Sequence, residues 1–200
     1  MNPLTSVKGT IISGFVLAIL VALYLSPENS SLVQRNLSIW LHALFGVTWV
    51  GLLYYFNFVQ VPAMAEAAAD KDGPGPAAIG KYVAPRALLY FRHAALGTWV
   101  TGAWYMMAIY GHSAWTLGIG KESLATTCIG IGAWLGTIML FNVWVLIWPN
   151  QKKVLGIVPA TDAEKATAKR VAFLASRSNT AMSIPMLMFM MASNHGLPFF

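Results

Sequence analysis

Charge is scarce in this chain, and acidic charge scarcest: 13 of 200 residues are Lys or Arg, and 7 are Asp or Glu. A soluble domain carries about a quarter of its residues as charges. Here they amount to 10%, against 57% hydrophobic residues, too few to cover a water-exposed globule of this length. Cysteine is nearly absent as well. The single Cys128 excludes a disulfide framework, and without a CxxCH there is no attachment point for a covalent c-type haem. Walker, GxGxxG and zinc-ligand spacings are missing, and the apolar content excludes disordered and collagen-like classes. The class that fits is an all-α integral membrane bundle with short loops, a single membrane domain over residues 1–200. The net charge of +6 would suit a nucleic-acid binder if the protein were soluble. The positive side chains lie between apolar runs, however, so membrane topology accounts for them and no nucleic acid is expected.

A helix needs about 20 apolar residues to cross the hydrocarbon layer. Five stretches meet or approach this, at roughly 9–25, 37–60, 87–110, 124–148 and 180–193. None contains Asp or Glu, and the last is interrupted by Pro185. Lys8, Lys71, Lys81, Arg86, Arg92, Lys152, Lys153, Lys165, Lys169, Arg170 and Arg177 fall on one side of these spans, with only Arg35 and Lys121 on the other. That bias places the N-terminus in the cytoplasm and the C-terminus outside. The first run is an uncleaved anchor rather than a signal peptide, since its n-region holds one lysine and Tyr24-Leu25-Ser26-Pro27 is a poor cleavage site. Asp70–Ala78 (DKDGPGPAA) reads as a turn, and Ala160–Arg170 as a charged surface helix.

Histidine in a bilayer is costly and so a functional candidate. The sequence holds four: His42, His93, His112 and His195. His42, Gly46 and Trp49 in WLHALFGVTWVG are spaced i, i+4, i+7 and share one helix face. A glycine one turn from an imidazole leaves a flat recess of the kind a porphyrin needs, and Trp49 can pack on its edge. A neutral imidazole is a common haem-iron ligand. The topology puts His195, in ASNHG, at the same depth as His42, so a b-type haem between His42 and His195 is one reading, with His112 as substitute ligand. The other is an interfacial histidine hydrogen-bonded to a carbonyl. His93 lies roughly 15 Å deeper than His42 at 1.5 Å per residue and cannot share its metal. Arg86, Arg92, Asn57 and Gln60, with Asn142, Asn150, Arg177 and Asn179, gather at the opposite helix ends. They could line a cavity for a planar, hydrogen-bonding anion, or they could cap helices and bond between them.

Four stretches carry a family resemblance: WLHALFGVTWVGLLYYFNFVQVPA (Trp40–Ala63), KYVAPRALLYFRHAA (Lys81–Ala95), FNVWVLIWPNQKKVLG (Phe141–Gly156) and SRSNTAMSIPMLMFMMASNHG (Ser176–Gly196). The sequence resembles the membrane domain of the membrane-bound urate hydroxylases, the family described as urate oxidase N-terminal. The resemblance implies a bacterial inner-membrane oxidoreductase that hydroxylates urate to 5-hydroxyisourate and hands electrons to a cytochrome c domain outside the membrane. His42 and His195 fall in its histidine motifs; Arg86, Arg92, Asn57, Gln60, Asn142 and Arg177 fall in its polar ones. His93 departs from it, standing where an aromatic is expected in FRW. Read as ending at Phe200, the chain is a short form that passes electrons to a separate cytochrome c or to subunits of a respiratory complex; a second copy of the chain, in a homo-oligomer, is a further expected partner. The competing expectation is a non-catalytic accessory subunit of such a complex.

Overall fold

The computed structural model describes residues 2–25, 33–117 and 123–198. Glu28, Lys121, Glu122 and the Ser26–Pro27 step weighed as a cleavage site lie outside them. Among the described residues every regular element is helical: α1 Val7–Leu25, α2 Val33–Tyr54, α3 Val61–Ala69, α4 Ala84–Ile109, α5 Leu124–Phe141, α6 Trp148–Val154 and α7 Asp162–His195. The chain divides into two units, Met1–Asn36 and Leu37–Phe200. In the first, α1 is apolar on every face and buries none of its residues. Every candidate site residue named above belongs to the second.

Three helical stretches among the described residues are long and apolar enough to cross a membrane: Val7–Leu25, Gln34–Ala69 and Leu124–Val154. The other two expected spans lie in α4 and α7, which have the length but not the apolarity. Arg86, Arg92, His93, Thr98 and Thr101 interrupt α4, and α7 opens on DAEKATAKR. The charged segment 160–170 and the span 180–193 are therefore one 34-residue helix, not two elements. Its start is fixed by a capping box. Thr161 Oγ1 accepts from the Glu164 backbone N–H at 3.3 Å, and the Glu164 carboxylate accepts from the Thr161 N–H at 2.8 Å. Those hydrogen bonds from Thr161, with the charge of Lys153, hold the Glu164 carboxyl below the usual carboxylate range. Pro185 sits inside the helix without ending it.

Two of the expected boundaries extend further because α-helix gives way to π-helix. The turns at Tyr55–Gln60, Ile79–Val83 and Asn142–Ile147 are π-helical, and a proline follows each within two residues of the next α-helical start (Pro62, Pro85, Pro149). A proline ring clashes with the carbonyl four residues back and removes one donor. The wider π turn moves that carbonyl away, so α2 runs on into α3 and α5 into α6.

Helical spacing builds the core. Trp49, Leu53 and Phe56 from the α2 rod face Leu88, Phe91 and Ala95 of α4, Met139, Val143 and Ile147 of the α5 rod, and Met186 of α7. Asparagines tie α7 to its neighbours at the level of the π turns. Asn142 Nδ2 donates to Asn179 Oδ1 at 2.8 Å, Asn179 Nδ2 donates to the Met139 carbonyl at 3.0 Å, and Asn57 Nδ2 donates to Ser176 Oγ at 2.8 Å. Tyr54 and Ser183 share a further hydroxyl bond of 2.9 Å.

Candidate functional site

Among the described residues the second unit forms a cavity toward each end of its helices. The first, about 550 Å³, has largely apolar walls and is lined by residues that include His42, Gly46, Trp49, Gly51, Thr98, Gly102, Gly136, Met186, Met190 and His195. It brings together all four residues singled out from the His42 motif and ASNHG. His112 is not among its lining: it lies exposed, capping the short turn Ser113–Thr116. Depth alone made His112 a candidate, and the turn carries it away from the recess.

The imidazole of His42 is fixed by backbone geometry. Its Nδ1 lies 2.8 Å from the Thr98 carbonyl, and a carbonyl can only accept, so Nδ1 carries the proton and Nε2 keeps its lone pair. Histidines that ligate a metal usually show this arrangement, the other ring nitrogen donating to a backbone carbonyl or carboxylate. Glycine permits it: a Cβ on Gly102 would stand 2.8 Å from His42 Nδ1 and Cε1. Gly97 likewise admits the Phe45 ring, which a Cβ there would meet at 2.8 Å. Around the recess, a Cβ on Gly51 or Gly136 would meet nothing within 4 Å, so these glycines leave free wall. Trp49 is 2% exposed and its indole N–H has no partner. A buried donor of this kind requires an explanation, and an acceptor atom on a ligand supplies one. His195 is exposed at the end of α7, where Gly196 (φ +79°) terminates the helix in the left-handed region glycine favours.

These features fit a porphyrin: a histidine with its ligating nitrogen free, a second histidine on the same cavity, and apolar walls relieved by glycine. Among the described residues no group of three or more His, Cys, Asp or Glu side chains gathers as a metal site; axial ligation of haem iron requires only two.

The second cavity, about 720 Å³, lies at the basic end. Residues of all three π turns line it, among them Phe56, Asn57 and Gln60, then Gly80 and Lys81, then Ile147. The α7 side contributes Lys169, Arg170 and Ser176. Asn57 and Gln60 were expected at such a site; Arg86 and Arg92 were too, and they are not part of it. Arg86 is exposed, and the Arg92 guanidinium stacks on Trp148 at 3.9 Å from the ring centroid. Both lie at the right depth but on other helix faces. Arg177 is likewise exposed and stacks over Phe173. His93 bonds to the Leu89 carbonyl of its own helix at 2.8 Å and lies edge-on to Trp144. The basic residues that do line the cavity, Lys81, Lys169 and Arg170, read from sequence as solvated loop and surface-helix charges. A π turn set by a buried polar residue a few positions before a proline, as in NFVQVP and NVWVLIWP, was the available signal.

Phe56 borders the basic-end cavity and Trp49 the apolar one. Seven residues separate them, roughly 10 Å of helix rise, with fully buried Leu53 between.

Residues 122–199 match the family model described as urate oxidase N-terminal. That stretch supplies α5, α6 and α7, and with them His195, Asn142, Asn179, Lys169 and Arg170. No curated protein and no solved structure matches the chain.

Proposed function

We propose that the chain is a membrane oxidoreductase of the urate hydroxylase kind, standing in a bacterial inner membrane with its basic end in the cytoplasm. The observation that carries this reading is His42: it faces an apolar cavity with Nδ1 committed to the Thr98 carbonyl and Nε2 free, and His195 lines the same cavity. His42 and His195 would hold a haem b, and when bound it supplies one-electron transfer. Gly102 keeps the His42 ring in register, and the walls of the cavity are largely apolar. The family match over residues 122–199 supports urate as substrate. Conversion of urate to 5-hydroxyisourate adds one oxygen from water and releases two protons and two electrons, so an acceptor must be present. A cytochrome c docking at the outer face fits an electron exit near His195. The concentration of Lys and Arg at the opposite end supports the assigned orientation.

The test is urate-dependent reduction of a soluble cytochrome c by the purified chain in nanodiscs. Two equivalents of cytochrome c reduced per urate consumed are expected. A haem-loaded protein that reduces none in the presence of urate would overturn the substrate assignment and favour an accessory subunit.

A further inference from the structure

We infer that the basic-end cavity is a receptor for a small planar organic anion that also carries N–H donors, with Gln60 setting the specificity and Lys169 and Arg170 supplying the charge. The assignment rests on the urate reading only for the name of the ligand; its chemical class follows from the cavity.

Three observations specify that class. The lining contains three cations, Lys81, Lys169 and Arg170, and no Asp or Glu. None of the three forms an ion pair with an acid among the described residues. A cavity of this composition raises the local concentration of anions. Next, Gln60 is 6% exposed and its carboxamide oxygen has no hydrogen-bond partner. Its amide nitrogen faces only the Met64 sulfur, at 4.0 Å. Leaving a buried acceptor unpaired is costly, and a ligand that satisfies it must donate. A simple anion such as sulfate brings charge but no donor. An anionic purine brings both, the N–H beside the charge. The third observation is the wall: Phe56, Leu88 and Phe91 border the same space, and they suit a flat ring face better than a compact tetrahedral ion.

Gln60 owes its position to the π turn Tyr55–Gln60, which ends on it just ahead of Pro62. π turns inside α-helices are frequent at functional sites, and here three converge on one cavity.

Equilibrium dialysis of radiolabelled urate against the full chain in phosphatidylcholine nanodiscs, with no electron acceptor present, tests the inference. Neutral lipid keeps anionic headgroups out of competition. Wild type is expected to bind urate and to release it as sulfate is added. Gln60→Leu should weaken urate about tenfold, the worth of one buried hydrogen bond, while the sulfate concentration that competes for the cationic mouth stays unchanged. The paired change Lys169→Ala/Arg170→Ala, at exposed positions that do not endanger folding, should weaken both urate and sulfate. Equal urate affinity in wild type and Gln60→Leu, or no urate binding by the wild type, would overturn the inference. Binding does not require haem: a chain that binds urate but takes up no haem when haem is supplied contradicts the redox reading alone, equal urate affinity in wild type and Gln60→Leu contradicts this inference alone, and a haem protein that ignores urate contradicts both.

Discussion

His42→Ala is expected to abolish the low-spin haem spectrum while leaving helix content and membrane insertion intact. The side chain is not a packing element of the main core, whose members are Trp49, Leu53, Phe56 and their partners, so its loss removes a ligand without opening the bundle. His195→Ala should have the same spectral effect, because the two histidines line one cavity. Gly102→Ala tests the cause behind the ligand. The added methyl would stand 2.8 Å from His42 Nδ1 and Cε1, and the ring must rotate off the Thr98 carbonyl to escape it. A weakened and shifted low-spin signal is expected there. His112→Ala and His93→Ala should leave the spectrum unchanged, since neither lines that cavity. Optical spectra of the five variants, at equal protein, decide the matter; a wild-type spectrum from both His42→Ala and His195→Ala would contradict the ligand assignment.

The largest loss of stability is expected from Asn179→Leu. Asn179 is completely buried, accepts from Asn142 and donates to the Met139 carbonyl. A leucine of similar size cancels both bonds and strands the Asn142 amide between α5 and α7. Interhelical hydrogen bonds in membranes contribute about 0.6–2 kcal/mol each, and an unpaired buried donor costs about 1–3 kcal/mol. The sum expected is roughly 2–7 kcal/mol of destabilisation. Asn150→Leu is the control, because Asn150 bonds only to the Leu146 carbonyl of its own helix. Thermal unfolding in detergent followed by circular dichroism should put Asn179→Leu well below Asn150→Leu in midpoint. Equal midpoints would mean the asparagine pair is not what ties α5 to α7.

How much of this was legible in the sequence depends on whether the signal was local. The all-helical character, and the shared face of His42, Gly46 and Trp49, follow from periodicity within one helix, which residue spacing reports directly. Depth along a helix is also local, and it put His195 near His42 and Asn57 near Gln60. Depth does not fix the face a side chain takes: Arg86 and Arg92 fall outside the lining of the basic-end cavity, and His112 outside that of the apolar one. Glycines 97 and 102 gave no warning because their role depends on which helix comes against them, a tertiary fact. Lys169 and Arg170 were hidden for a related reason. In a charged stretch they resemble any solvated helix face, and only the merging of that stretch into α7 brings them beside Gln60. The π turns were missed because a proline after an apolar run reads as a break, whereas a widened turn lets the helix continue through it.

We propose haem b as the occupant of the cavity lined by His42 and His195. The dithionite-reduced minus oxidised spectrum of the purified wild-type chain, with pyridine haemochrome quantification, reads this out. A Soret band with sharp reducible α and β bands is expected, with one non-covalent haem b per chain. A colourless protein, still colourless after haem is supplied during expression and again after purification, would contradict it.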